Sequence, residues 1–357
     1  MRFIKGMDVS MAKELEEHGA AYYLNGEKKD LFEILKICGT DLVRLRLWND
    51  PYSEKGEAYG GGTNDLGTTI ELAKRAVRHN IEFMLDFHYS DFWADPAKQI
   101  KPKAWENLNG TELQSAVYHY TRNTLSRMKE EDVLPSFVQI GNEITNGLLW
   151  PDGKSENLEE MASLLKAGIR AIKDVDPKIK ILLHLDFGTD NKMYRKWFTK
   201  IAPYGLEFDI IGMSYYPYWN GSIDSLVHNM NDISQTFQKD VLIAETAMGY
   251  TTDPLGCNGV VFSEELEKAA GYPATKSGQE QFLKELYAGV RKVKDHRGVG
   301  VLYWEPEWLP IPECSWAKPI GCEYMKDSAE IGNSWGNQAL FDASGNANQA
   351  LVNLKTF

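Results

Sequence analysis

The sequence predicts an α/β fold, a (β/α)8 TIM barrel in a single domain spanning residues 1–357, and three observations predict it. Eight short β-branched or aromatic runs recur along the chain, segments with helical periodicity separate them, and composition does not change from one end to the other. Alternating strand and helix implies parallel strands covered by helices. Eight such strands in one regime of composition favour closure into a barrel over an open sheet, and α/β barrels commonly exceed the usual domain length as one unit.

In chain order the predicted strands are Phe3–Val9, Leu42–Trp48, Ile81–His88, Phe137–Glu143, Ile179–Asp186, Phe208–Tyr215, Asp240–Thr246 and Gly298–Glu305. The clearest helix carries Leu158, Met161, Ala162, Leu165, Ile169 and Ile172 on one face at helical spacing. Another is predicted to open on a capping box of Ser277 and Glu280, then shows Phe282, Leu283, Leu286, Val290 and Val293 on one stripe. Glu71–Val77 and Leu31–Cys38 give shorter examples, and Cys38 reads as a buried apolar residue of the latter. A bare barrel takes roughly 250 residues. The surplus falls in long loops after strands seven and eight, about Gly249–Lys276 and Pro306–Asn348.

With 43% hydrophobic and 25% charged residues, the chain has an ordinary soluble composition. Its net charge of −12, without a basic stripe, argues against nucleic acid as a partner. No apolar run approaches the length of a membrane helix. The N-terminal run Met1-Arg2-Phe3-Ile4-Lys5-Gly6 enters a strand directly, with no signal-peptide core. Four cysteines (Cys38, Cys257, Cys314, Cys322) are too few for a disulfide scaffold and lack paired C-x2-C metal spacing. One bridge among the three loop cysteines stays open as a possibility.

Barrels of this kind carry their active sites at the C-terminal ends of the strands. That rule turns the strand ends into candidates: Arg44, Arg46, His88, Asp91, Asn142, Glu143, His184, Asp186, Tyr215, Glu245, Trp304 and Glu305. A structural role is the alternative for each: Asn142 as a turn cap, Arg46 as an interior ion-pair partner, Tyr215 and Trp304 as core aromatics. His184 and Asp186 lean towards the structural reading. Glu143 and Glu245 stand out because each follows a buried strand directly, where a carboxylate is costly without a purpose. Three strands apart, they can face one another across the barrel mouth. Two carboxylates flanking a glycosidic bond are the minimum machinery for its hydrolysis.

Several motifs make this specific. Gly141-Asn142-Glu143-Ile144 at the end of strand four, with Glu245 ending strand seven, resembles the retaining barrel glycosidases. The run Phe87-His88-Tyr89-Ser90-Asp91-Phe92-Trp93-Ala94-Asp95-Pro96 resembles the hallmark of the arabinogalactan endo-β-1,4-galactanases, glycoside hydrolase family 53. Gly6–Ser10, Val43–Trp48, Tyr303–Pro306 and Trp335–Asp342 match the same family in the same order. The resemblance implies endo-acting, retaining hydrolysis of β-1,4-galactan or type I arabinogalactan, with Glu143 as acid/base and Glu245 as nucleophile. It implies that Asn142 bonds the sugar 2-hydroxyl, that Arg46 and Tyr215 contact Glu245, and that His88 and Trp304 line the −1 subsite. Asp91 and Glu305 join them as substrate-binding candidates. Of the ten tryptophans, Trp93, Trp219, Trp308, Trp316 and Trp335 fall on rim loops, and Trp93 and Trp335 are expected to border the cleft.

A retaining pair requires carboxyls about 5–5.5 Å apart, whereas an inverting pair needs roughly 6.5–9.5 Å. Some bacterial relatives hold calcium between the loops after strands seven and eight. Here that stretch, Tyr250–Gly259, keeps only Asp253 and Asn258 as hard ligands beside Leu255 and Cys257, so no cofactor or metal is expected. A Cys257 bridge to Cys314 or Cys322 could replace the ion. The resemblance also implies a secreted or cell-surface monomer acting on a polysaccharide. Other readings are a mannanase, xylanase or cellulase with the same glutamates, a metal-dependent hydrolase using His88, Asp91, His184 and Asp186, and an inactive carbohydrate-binding barrel.

Overall fold

The computed structural model describes residues 2–357; Met1, the first residue of the N-terminal run, lies outside the described residues. Eight parallel strands close into a barrel: β1 (Ile4–Asp8), β2 (Leu42–Leu47), β3 (Glu82–Phe87), β4 (Phe137–Ile140), β5 (Lys180–Leu185), β6 (Ile210–Ser214), β7 (Asp240–Glu245) and β8 (Gly298–Trp304). They neighbour one another in chain order, and β8 closes on β1. Each predicted strand is present, trimmed by a few residues at its ends. On β3, β4, β5 and β8 the chain leaves the ladder near a left-handed residue: Tyr89 (φ 51°), Glu143 (φ 46°), Phe187 (φ 47°) and Glu305 (φ 52°). Such a conformation costs a non-glycine residue roughly 1 kcal/mol or more, so four of them on one rim mark a shape imposed by the surrounding packing.

The helices that follow the strands are α1 (Leu31–Cys38), α2 (Leu66–Arg78), α3 (Gly110–Glu130), α4 (Leu158–Val175), α5 (Asn191–Ile201), α6 (Ile223–Phe237), α7 (Lys276–Arg291) and α8 (Gln349–Val352). Asp30 caps α1 by accepting from the amides of Phe32 and Glu33, and Gly39 ends it in the left-handed region. The predicted stripe of α4 is buried from Met161 to Ile172. The cap of α7 differs from expectation. Thr275, in extended conformation, accepts from the amide of Gly278, so Ser277 lies inside the first turn. Glu280 instead accepts from Asn353, beyond the end of α8.

Period-two alternation explains how the barrel is filled. Ile4, Leu42, Met84, Phe137, Leu182, Ile210 and Leu242 cluster inside it as an apolar layer. Side chains two and four places further along each strand face the same way. Those positions hold Asp8, Arg44, Arg46, Asp86, His88, Gln139, His184, Asp186 and Ser214, all buried. Gly212 is needed in that series because a Cβ there would sit 2.7 Å from the Leu182 side chain. One end of the interior is therefore an apolar plug, and the C-terminal end is polar.

The loops after β7 and β8 pack on each other: the amide of Tyr250 bonds the carbonyl of Asn337, and that of Val261 the carbonyl of Ser334. The disulfide left open among the loop cysteines is not formed. All four cysteines are free and buried, with Cys314 beside the carbonyl of Glu14 and Cys322 packed in a separate cluster with Trp48 and Phe92. Among the described residues no helix is long and apolar enough to cross a membrane.

Candidate active site

The polar end of the barrel opens into a cleft of about 410 Å³, lined among others by Glu143, Glu245, Arg44, Asn142 and Tyr216. Glu143 stands just beyond β4, and Glu245 ends β7. The β6–β7 register slips by one residue, so that Ser214 pairs with Glu245 rather than Ala244. A bulge at a barrel rim re-aims the side chain beyond it, here turning Glu245 inward.

Arg44 is the hub beneath this pair. Its Nη1 donates to Glu245 Oε1 (2.8 Å) and Asp8 Oδ2 (2.9 Å), and its Nη2 to Asp86 Oδ2 and Asn142 Oδ1 (2.8 Å each). Its Nε donates to Gln139 Oε1 (3.1 Å). Burial opposes its charge, but Asp86, Glu245 and Asp8 outweigh that and hold the guanidinium charged. Tyr216 donates its hydroxyl to Glu245 Oε2 (3.1 Å). Burial raises the Glu245 carboxyl, and Arg44 offsets only part of that against Asp8 and Asp86, which leaves it above the usual range. Glu143 has no such cation: burial, then the charges of Glu245 and Asp186, push it well above the usual range. Both acids are raised, but Glu143 is pushed much further towards its protonated form than Glu245, which alone of the two has a cation beside it.

His88 Nδ1 accepts from the indole N–H of Trp48 (3.1 Å) and the amide of Ala94 (3.2 Å). Nε2, 3.1 Å from Asp86, therefore bears the hydrogen. Tryptophans form the walls. Trp93, Trp219, Trp304, Trp308, Trp316 and Trp335 all line the cleft, with Trp304 against Trp335 edge-on at 4.6 Å. Trp219 is half exposed.

Two expected contacts of Glu245 fall on neighbours instead. Arg44 takes the place foreseen for Arg46, which pairs with Glu305, donates to the carbonyl of Gly61 and lies 4.4 Å under Trp93. Tyr216 takes the place foreseen for Tyr215. Tyr215 has the opposite strand parity, so it turns outward against Phe282 and donates to the carbonyl of Gly221. Asp91 and Glu305 also lie off the cleft. Asp91 accepts from the amides of Asp50 (3.0 Å) and Lys103 (2.7 Å) and from the Lys103 ammonium (3.1 Å), which fixes the β3 loop. Glu305 is fully buried with Arg46 and the amide of Met11. His184 and Asp186 do not join His88 and Asp91 as ligands: both His184 nitrogens are engaged, by Asn142 and Ser214. Among the described residues no group of three or more His, Cys, Asp or Glu could hold a metal ion. Ser214, Tyr216 and Gln139 were absent from the strand-end candidates; counting parity upward from the apolar layer would have found all three.

The family profile described as glycosyl hydrolase family 53 matches residues 4–357. The chain belongs to glycosyl hydrolase family 53. A solved family 53 catalytic domain from Ignisphaera aggregans is 42% identical, with a TM-score of 0.92 over 99% of this chain and 95% of that one. An endo-β-1,4-galactanase of Bacillus subtilis is 35% identical over 96% of this chain and 83% of its own length. An uncharacterised protein of Niallia circulans is 44% identical over 99% of this chain and 93% of its own. Family 53 membership covers both glutamates and all eight strands.

Proposed function

We propose that this chain is an endo-acting β-1,4-galactanase that cleaves galactan and type I arabinogalactan by double displacement, with retention at the anomeric carbon. The observation that carries the mechanism is the pair in one cleft, a half-buried Glu143 pushed well up and a buried Glu245 tied to Arg44. The galactan assignment rests on the family and on the galactanase it resembles at 35% identity.

In the first step a Glu245 oxygen attacks the anomeric carbon while Glu143 gives its proton to the departing glycosidic oxygen. Arg44 and Tyr216 keep the nucleophile ionised and aimed. Once esterified, Glu245 carries no charge, the pressure on Glu143 falls, and Glu143 can take a proton from the incoming water. Asn142 has one amide hydrogen left for the sugar 2-hydroxyl, because the other is donated to the Ala94 carbonyl. His88 offers the sugar its ring alone, Trp304 the floor of the −1 subsite, and Trp93 and Trp335 the walls. Both reacting groups are side chains, so no cofactor is used. A polymer too large to cross a membrane favours action in the medium or at the cell surface.

Reducing-sugar release from galactan, mannan, xylan and glucan tests the specificity, with Glu143→Ala and Glu245→Ala beside the parent. Galactan alone should be cleaved, and neither variant should cleave it. Preference for another polymer would reject the substrate, and parental activity in either variant would reject the site.

A further inference from the structure

We propose that Ser214 and His184 form a hydrogen-bond relay of fixed direction that keeps the proton on Glu143 between turnovers. Both are positioning residues for the acid/base, and the idea rests on reading Glu143 as that group. The direction follows from the identity of one oxygen. Asn142 Oδ1 accepts from Arg44 Nη2 (2.8 Å) and Gln139 Nε2 (3.1 Å), while its Nδ2 donates to the Ala94 carbonyl (2.9 Å), so the amide has one orientation. His184 Nδ1 lies 2.9 Å from that Oδ1, an atom that only accepts, and therefore carries a hydrogen.

The imidazole is fully buried, and burial, Arg44 and His88 in that order hold it well below its usual pKa and neutral. A neutral ring with hydrogen on Nδ1 presents a lone pair at Nε2. Ser214 Oγ, 2.9 Å away, must donate to it. Serine has one hydrogen. Its other contact, 2.5 Å to Glu143 Oε1, is then a hydrogen bond only when Glu143 supplies the proton. With Glu143 ionised and Ser214 still turned to His184, two oxygen lone pairs would face each other inside the barrel.

The other groups that face Glu143 are Glu245 of β7, Asp186 after β5, Asp95 after β3, Tyr216 after β6 and Tyr194 of α5. The three carboxylates raise the Glu143 carboxyl, whereas a hydrogen bond donated by Ser214 would lower it, so the direction of that one bond decides whether the serine works with them or against them. Delivery needs a turn of the carboxyl about its Cγ–Cδ bond, which breaks the bond to Ser214 and swings the O–H to the glycosidic oxygen. That oxygen keeps the proton and Glu143 becomes the anion. The Ser214 hydroxyl stays turned to His184, so the carboxylate remains rotated away from it. When water returns a proton to Glu143, the carboxyl turns back to Ser214.

The sign of one shift tests the relay. Ser214→Ala removes a single oxygen from β6 and deprives protonated Glu143 of its acceptor. The alkaline limb of kcat/KM on galactan should move down by about one pH unit, a roughly tenfold loss of activity above it. A serine that donated to the carboxylate would stabilise the anion, so its removal would move the limb up. An upward or absent shift overturns the relay. Ser214→Thr keeps the hydroxyl and should keep the parental limb; a shift as large as that of Ser214→Ala would assign the effect to packing and overturn it too. The infrared carbonyl band of protonated Glu143, identified by its loss in Glu143→Gln, should titrate with the same downward shift in Ser214→Ala. That band is read without substrate, so it tests the relay even if galactan proves not to be the substrate.

Discussion

Arg44 and Arg46 stand two residues apart on β2, both buried and both facing into the barrel, yet their networks differ in completeness. Every carboxylate around Arg44 has a further partner: Asp8 accepts from Ser10, Asp86 from Gln139, and Glu245 from Tyr216. Around Arg46, Glu305 accepts from Met11 and shares with the adjacent Glu307 a hydrogen bond that needs a proton on one of the two carboxyls, while Arg46 Nε has no partner. Burial pushes Glu305 up to about 6 and, with the charge of Glu305, pushes Glu307 well above the carboxylate range. A saturated network can hold an ion ready for chemistry, whereas an incomplete one settles by keeping a proton. The difference separates a site that aims Glu245 from a frame that supports Trp93.

The largest expected effect breaks the first network. Arg44→Met leaves Asp8, Asp86 and Glu245 without a cation, and kcat on galactan should fall by about a thousandfold or more. Arg46→Met should cost about tenfold, acting through the Trp93 wall it underlies. Equal losses would erase the distinction. Next comes the tyrosine pair. Tyr216→Phe should lower kcat by roughly a hundredfold through its lost bond to Glu245, while Tyr215→Phe should stay within about twofold. Comparable rates for the two variants would return Tyr216 to a packing role.

The walls give a smaller effect. Trp93→Ala or Trp335→Ala should weaken cleavage of long oligosaccharides by about tenfold and change a short chromogenic substrate little. Equal losses on both substrates would count against a wall role. The smallest effect lies in the incomplete network. Because the folded pKa of Glu307 is raised, its stabilising contribution is complete below the unfolded carboxyl pKa and disappears as pH rises through the folded value. Glu307→Gln removes that dependence and should raise stability at pH 8 by about 1 kcal/mol, read from urea unfolding at two pH values. A variant less stable at pH 8 would mean that Glu307 is charged and paired.

The fold was legible because the strand pattern and the family motifs agree along the whole chain, from Gly6 to Asp342. The placement of the two glutamates in one cleft was legible for the same reason, each coming at the end of an apolar strand run. What escaped was height and parity within the barrel. Arg44 and Arg46 share parity, so only the depth of the layer decides which one reaches Glu245. Tyr215 and Tyr216 differ in parity, and counting from Ile210 through Gly212 and Ser214 selects Tyr216. Asp91 lies in a family motif yet serves the β3 loop through Lys103, since a motif can mark the shape of a loop as readily as a contact with substrate. The cap of α7 moved to Thr275 because two hydroxyl residues precede the same stripe, and backbone conformation chooses between them. No Cys257 bridge is formed: all four cysteines are free, and sequence spacing does not encode how cysteines of two packed loops are oriented.

The central claim is that Glu245 attacks the sugar and Glu143 passes the proton. Proton NMR of galactan hydrolysis during the first minutes tests it most directly, before the released sugar mutarotates. The account predicts the β-anomer of the new reducing end first, with the α-anomer growing in afterwards. An α-anomer formed first would mean direct attack by water, and would contradict the assignment of Glu245 as nucleophile.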